Sequence, residues 1–143
     1  MRIDIPENKK KIHETTISIR WGDMDPYRHI NNTAYFRYME QARIEWMTSL
    51  GFSSIAEKEA MIMVNGFCNF YKQAGFPGSL HINTFVGEIG NSTVDLLNTM
   101  EFIGANEGEE MIMCAAGGAT MLWVDLEKNK SMPWPDSILK VLR

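Results

Sequence analysis

Apolar and polar positions along the 143-residue chain follow two different rhythms. Residues 15–21, TTISIRW, alternate and are rich in β-branched side chains, which predicts a strand that ends at Gly22. From Asn32 or Thr33 the period changes. Tyr35, Tyr38, Met39, Ala42 and Trp46 recur at i, i+3, i+4, i+7 and i+11, the spacing of one helix face, and Gly51 supplies the stop. Phe36, Ile44 and Met47 add apolar side chains on other faces. Only a narrow strip is left for water, assigned to Arg37, Glu40, Gln41, Arg43 and Glu45, so the helix is expected to lie deep. After a polar link, strand patterns return at residues 61–72 and 80–89, separated by the breaker run AGFPG. Gly90-Asn91 is a two-residue hairpin signal leading to a strand over 92–102. There Val94, Leu96, Met100 and Phe102 share one face and Thr93, Asp95, Thr99 and Glu101 the other, with Asn98 the polar exception on the dry side. GANEGEE is a loop, and residues 111–124 form a long strand in which Gly117-Gly118 marks a bulge or a close backbone approach. LEKNKS is a turn, and PWPDSILKVL reads as a short helix opened by Pro135 or capped by Asp136.

The order is strand, helix, four consecutive antiparallel strands and a small terminal helix, an α+β pattern without internal repeats or low-complexity segments. One long apolar helix and one curved sheet satisfy each other only if the sheet wraps the helix. That leaves further apolar sheet surface and an edge strand to be covered, which favours self-association. The length suits a single domain over residues 1–143.

Composition narrows the function classes. A formal charge of -4, mixed in sign along the chain, gives no basic surface for nucleic acid, although a small patch could hold one phosphate. The N-terminus MRIDIPENKKKIHE has no apolar core of a secretory signal. The run 111–124 falls short of the roughly 20 apolar residues of a membrane helix and is broken by two glycines, so no membrane span is expected. Cys68 and Cys114 lack C-x-x-C spacing and sit in apolar strand-like runs, as buried free thiols do, which points to a cytoplasmic, reducing setting. The lysines at 9–11 read as a solvated cluster in preference to a nucleotide-phosphate site. Met61, Met63, Met111, Met113 and Met121 read as core fillers, with an adaptable acyl tunnel as the alternative.

Chemistry concentrates in DMDPYRHINNTAY, residues 23–35. Asp23-x-Asp25 begins like a calcium loop, but its fifth, sixth and twelfth positions would be Tyr27, Arg28 and Ala34. Asp23, Asp25 and His29 lack an obvious remaining ligand set for a transition metal, so no metal is expected. A phosphoryl-transfer Asp pair would end a strongly apolar strand of an alternating α/β fold, and TISIRWG is too polar for that. A plain turn with a helix cap explains Pro26 and one of Asn31 or Asn32, but does not require Asp25, His29 and a second Asn together.

The stretch RWGDMDPYRHINNTAYFRYMEQAR, residues 20–43, resembles the signature of the 4-hydroxybenzoyl-CoA thioesterase-like family of hotdog-fold acyl-CoA thioesterases. That resemblance implies a curved antiparallel sheet of about five strands wrapped around one central helix. It implies a homodimer at minimum, with a homotetramer the favoured assembly and active sites at the subunit interface. By motif position, Asp25 takes the place of the catalytic carboxylate and the backbone N–H of Asn32 that of the donor to the thioester carbonyl; His29 and the Asn32 side chain are candidate orienting groups, with a hydrogen-bonded structural histidine the alternative for His29. The implied substrate is an acyl-CoA in preference to an acyl carrier protein thioester, with no metal or organic cofactor. A non-catalytic acyl-binding protein and an acyl-CoA hydratase or dehydratase are the rivals on this fold. One departure stands out: many relatives have glycine before the histidine, where this chain has Arg28. A left-handed residue there is strained with arginine, so the loop is expected either to take another path or to turn Arg28 toward the mouth of the site and a CoA phosphate, with a plain solvated loop arginine the favoured reading of the side chain.

Overall fold

The computed structural model describes residues 3–52 and 57–143. Its elements are β1 (Lys10–Ser18), α1 (Asn32–Ser49), β2 (Glu59–Phe70), β3 (Gly78–Ile89), β4 (Thr93–Gly104), β5 (Ile112–Asp125), β6 (Lys130–Ser131) and α2 (Asp136–Leu142). The polar link after Gly51 falls partly on residues 53–56, outside the described residues.

The strands form one antiparallel sheet in the order β1-β3-β4-β5-β2, with β6 paired to β5. Consecutive strands therefore do not all neighbour one another. β2 follows α1 to the far edge, and the chain returns through residues 71–77 to β3. This crossover lays α1 over the sheet. Ala34, Tyr35, Tyr38, Met39 and Ala42 of α1 pack with Leu80, Ile82, Met100, Cys114 and Ala115 of the strands. Trp46 and Met47 join a second cluster with Val86, Val94, Leu96, Met121 and Trp123, closed by Trp134, Ile138 and Leu142 of the tail. The apolar period read from the sequence is thus the face that α1 buries.

Several boundaries differ from expectation for physical reasons. β1 begins at Lys10 and stops at Ser18, earlier than the run 15–21 at both ends. As an edge strand paired only with β3 it keeps charges wet along one side, so Lys11 and Glu14 fit in it as an ion pair at 2.7 Å. Lys10 is not a free terminal charge: its Nζ donates to the carbonyls of Val141 and Arg143 at 2.9 and 2.8 Å, serving the C-terminal end of α2. Beyond Ser18, Ile19 is buried and Trp21–Asp23 form a 3-10 turn. Arg43, expected on the wet strip, is only 5 % exposed. Its guanidinium lies 3.9 Å from Met63 Sδ, because the far-edge strand reaches over that side of the helix. Burial pulls the Arg43 pKa down from its ordinary value, with Glu40 opposing.

Gly117 and Gly118 mark close approach: a Cβ on Gly117 would stand 2.3 Å from the Phe67 carbonyl oxygen and 3.1 Å from Met39 Sδ. The register shift in β5 falls instead where Met113 and Ala115 flank Cys114. Asn98 is fully buried on the dry face, its Nδ2 donating to Thr84 Oγ1 at 2.9 Å. The β3–β4 link spans Gly90, Asn91 and Ser92, longer than the two-residue hairpin read from Gly90-Asn91, and is closed by Gly90 N–H to the Thr93 carbonyl at 2.7 Å. The LEKNKS turn runs into β6, which the sequence did not announce. Pro135 is the N-cap of α2 and Asp136 its first residue, so the Asp136 side chain makes no cap bond.

Candidate active site

Residues 23–31 fold into a small closed loop directly ahead of α1. Its rungs are Asn31 N–H to the Asp23 carbonyl at 2.9 Å, a bridge between Met24 and Ile30, and Asp25 N–H to the His29 carbonyl at 2.9 Å. Pro26 follows Asp25, and Arg28 N–H closes the turn on the Asp25 carbonyl at 3.0 Å. A turn with a left-handed residue at its end is the common three-residue hairpin connection. Arg28 occupies that position with φ 66°, so the loop keeps the path a glycine would take and arginine bears the strain. The loop is held from outside by Ile30 N–H to the Ala74 carbonyl at 2.8 Å, and by Gly75, where a Cβ would stand 2.8 Å from the Arg28 carbonyl oxygen.

The Asp25 side chain is fixed by this turn. Its Oδ1 accepts from the amides of Tyr27 at 2.9 Å and His29 at 3.3 Å, which leaves Oδ2 without a hydrogen bond among the described residues. Asp23 serves the helix instead. Its Oδ2 accepts from the Tyr38 hydroxyl at 2.6 Å, tying the loop to the buried face of α1. Burial and that bond push the Tyr38 pKa up to about 12.

Asn31 caps α1. Its Oδ1 accepts from Thr33 N–H at 2.9 Å and from the Thr33 hydroxyl at 2.6 Å. Asn32 is the first helical residue, and its N–H has no intrahelical acceptor. The first turn of α1 carries no acidic side chain, so the partial positive charge of the helix start is not neutralised from within.

A cleft of about 260 Å³ opens at this point. It is lined by Asp25, His29 and Asn32 together with Tyr27, Ile30, Tyr35, Phe70, Tyr71, Lys72 and Gln73. The three residues singled out in the sequence therefore share one cleft. His29 is joined to Asp25 through its backbone, by both N–H and carbonyl. The aromatic wall went unread. Tyr35 carries the helical period and counts as core, yet it also faces the cleft, with its ring edge-on to Phe70 at 5.2 Å. Burial raises its phenol well above the ordinary range. Phe70, Tyr71, Lys72 and Gln73 lie at the end of β2, and only the β2–β5 register brings them to the start of α1.

Neither thiol offers a competing nucleophile. Cys68 and Cys114 are both free, and burial pushes them up to about 12 and about 11. Among the described residues no group of three or more His, Cys, Asp or Glu side chains is placed to hold a metal ion, and no helix is long and apolar enough to cross a membrane.

An antiparallel sheet packed against one long helix is the architecture of the hotdog thioesterases. Residues 19–142 match the family model of the thioesterase-like superfamily, and the chain belongs to that superfamily. The uncharacterised protein YsmA of Bacillus subtilis (strain 168) is 27% identical over 121 residues, 84% of this chain and 78% of its own. The PA2801 protein of Pseudomonas aeruginosa, a candidate thioesterase, superposes with a TM-score of 0.84 at 29% identity, covering 94% of this chain and 100% of its own. A candidate acyl-CoA thioesterase from Xanthomonas campestris gives a TM-score of 0.71 at 26% identity, over 82% of this chain and 96% of its own.

Proposed function

We propose that the protein hydrolyses an acyl-CoA thioester to the free acid and CoA, with Asp25 as the catalytic carboxylate. The observation that carries this reading is the convergence of Asp25, His29 and the first amide of α1 on one cleft. In the proposed reaction the thioester carbonyl oxygen lies against the Asn32 N–H. The charge that develops on it is stabilised by that donor and by the unneutralised helix start. Asp25 Oδ2 either attacks the carbonyl carbon, forming a mixed anhydride that water then hydrolyses to the free acid and the regenerated carboxylate, or draws a proton from a water that attacks directly. The sulfur leaves as a thiolate, a far weaker base than an alkoxide or amide anion, so a strong general acid is not needed. His29 and the Asn32 side chain orient Asp25 or the attacking water. Neither a metal nor an organic cofactor takes part in this scheme.

The same reading includes a homodimer at minimum, assembled further into a homotetramer, in a cytoplasmic setting. The far-edge strand supports association: Ile62, Met63 and Val64 of β2 are exposed, on an edge with unpaired backbone groups. Light scattering at micromolar concentration tests it, and a monomer alone would overturn the assembly.

The function is tested by free-thiol release from a panel of short, long and aromatic acyl-CoAs, read beside native mass spectrometry of the same mixtures. Thiol release with free acid and CoA supports hydrolysis. Intact acyl-CoA retained on the protein without release would make it a binding protein. Water added across a double bond would make it a hydratase.

A further inference from the structure

Asp25 lines two clefts. Besides the one shared with Asn32, a second of about 470 Å³ is lined by Trp21, Gly22, Met24, Asp25, Pro26 and Arg28. A thioester also has two arms on its carbonyl, an acyl group and a longer thiol half. The smaller, aromatic-walled cleft that holds the helix amide suits the acyl arm. The larger one suits the thiol half.

We infer, resting on the acyl-thioester reading above, that the second cleft binds the phosphorylated thiol half of the substrate and that Arg28 is the specificity-determining residue that grips its phosphate. Three observations carry this. Arg28 is exposed and forms no ion pair among the described residues. Neither nearby carboxylate pairs with it: Asp23 accepts from the Tyr38 hydroxyl, and Asp25 accepts two amides at Oδ1 and keeps Oδ2 for the reaction. And Arg28 holds a left-handed backbone at φ 66°, where glycine would make the same turn without strain, so the side chain is kept at a cost that the turn itself does not explain. A planar guanidinium meets a phosphate with paired hydrogen bonds, and Trp21, 75 % exposed at the same cleft, gives the arm an apolar wall. Because Asp25 lines the same cleft, the anion belongs at its Arg28 end. The phosphate is common to CoA and to the prosthetic group of a carrier protein, so the substrates below separate those sources.

The test compares one acyl group carried on CoA, on 4′-phosphopantetheine and on pantetheine, with the parent, Arg28→Gly and Arg28→Lys. Glycine is chosen because φ 66° suits it and the loop keeps its course. The parent should show a KM at least about tenfold lower for the two phosphate-bearing thioesters, the size of one charge-assisted contact. Arg28→Gly should erase that preference through KM, Arg28→Lys should keep part of it, and added salt should weaken it in the parent. A further advantage of CoA over phosphopantetheine would place the nucleotide in the cleft as well. Titration calorimetry with free CoA gives a readout independent of turnover and should show the same Arg28 dependence. Arg37→Gln, an equal charge change on the exposed side of α1, should leave the preference intact.

The inference is overturned if Arg28→Gly keeps the full preference, if Lys72→Met in the other cleft removes it instead, or if the loss follows the acyl group and not the phosphate. A parent that hydrolyses no thioester yet binds CoA through Arg28 would sink the hydrolase reading and leave the phosphate site standing. A parent that does neither would sink both.

Discussion

Replacing Gly117 with alanine is a severe test of how α1 is held over the sheet. The added methyl would stand 2.3 Å from the Phe67 carbonyl oxygen, 3.1 Å from the Cys68 Cα and 3.1 Å from Met39 Sδ. Two of these are backbone atoms of β2, paired with β5 across this very register, so no side-chain rotation can make room. β2 must shift to relieve the clash, whereas the Met39 thioether can yield by a few tenths of an ångström. Overpacking of a filled core costs about 1–3 kcal/mol. Weakening one ladder hydrogen bond adds about 1 kcal/mol. We therefore expect a loss of about 2–4 kcal/mol, a large share of the roughly 5–15 kcal/mol that stabilises a typical domain. Urea unfolding followed by tryptophan fluorescence measures it, with the midpoint expected to fall by about 1–2 M. Turnover should fall too, because a displaced β2 carries Phe70 and its side of the cleft with it. Gly22→Ala is the control, since a Cβ there meets nothing within 4 Å, and it should change stability by no more than about 0.5 kcal/mol. A Gly117→Ala variant that loses less than about 0.5 kcal/mol, no more than an ordinary surface substitution, would refute the close contact of helix and sheet at this point.

Three further outcomes rest on the same geometry. Arg28→Gly should raise stability by about 0.5–1 kcal/mol in a urea titration, since glycine adopts φ 66° without strain; a destabilised variant would contradict the strained turn. Asn31→Ala removes the acceptor of Thr33 N–H and should cost about 1 kcal/mol while lowering kcat, because the cap fixes the direction of the first helical amides; unchanged stability and kcat would contradict it. Stability should also fall at alkaline pH. Cys114 and Cys68 are raised to about 11 and about 12 by burial, so the unfolded chain releases these protons first as pH climbs past the ordinary thiol range. Their contribution is complete below that range and is lost as pH rises toward those raised values, by up to about 1.4 kcal/mol per pH unit for each group; equal urea midpoints at neutral pH and near pH 10 would contradict it.

What the sequence made legible is what local chemistry controls. The helical period of Tyr35, Tyr38, Met39, Ala42 and Trp46 is a single-element property, and α1 buries that face. The turn, cap and carboxylate positions of residues 23–33 are likewise set by neighbours a few residues apart. Arg43 shows where that reading runs out. Nothing near it in sequence says that Met63 will cover it, because the covering strand reaches the far edge only through a crossover. The aromatic wall of the cleft was hidden for the same reason: Phe70 meets Tyr35, and Tyr71 joins the same cleft, through the placement of β2 on β5, a long-range pairing with no local signal. Arg28 is the instructive case. The sequence flagged the strain, and the structure shows that the hydrogen bonds of the loop outweigh it.

The most direct measurement is the turnover number of Asp25→Asn on an acyl-CoA that the parent hydrolyses. Asparagine keeps the Oδ1 acceptor for the Tyr27 and His29 amides, so the loop should stand, and circular dichroism can verify the fold. Loss of the ionised oxygen should lower kcat by at least about 100-fold, the scale of a removed general base or charge-stabilising group. A folded Asp25→Asn variant that turns over at the parental rate would show that the carboxylate does not act on the thioester.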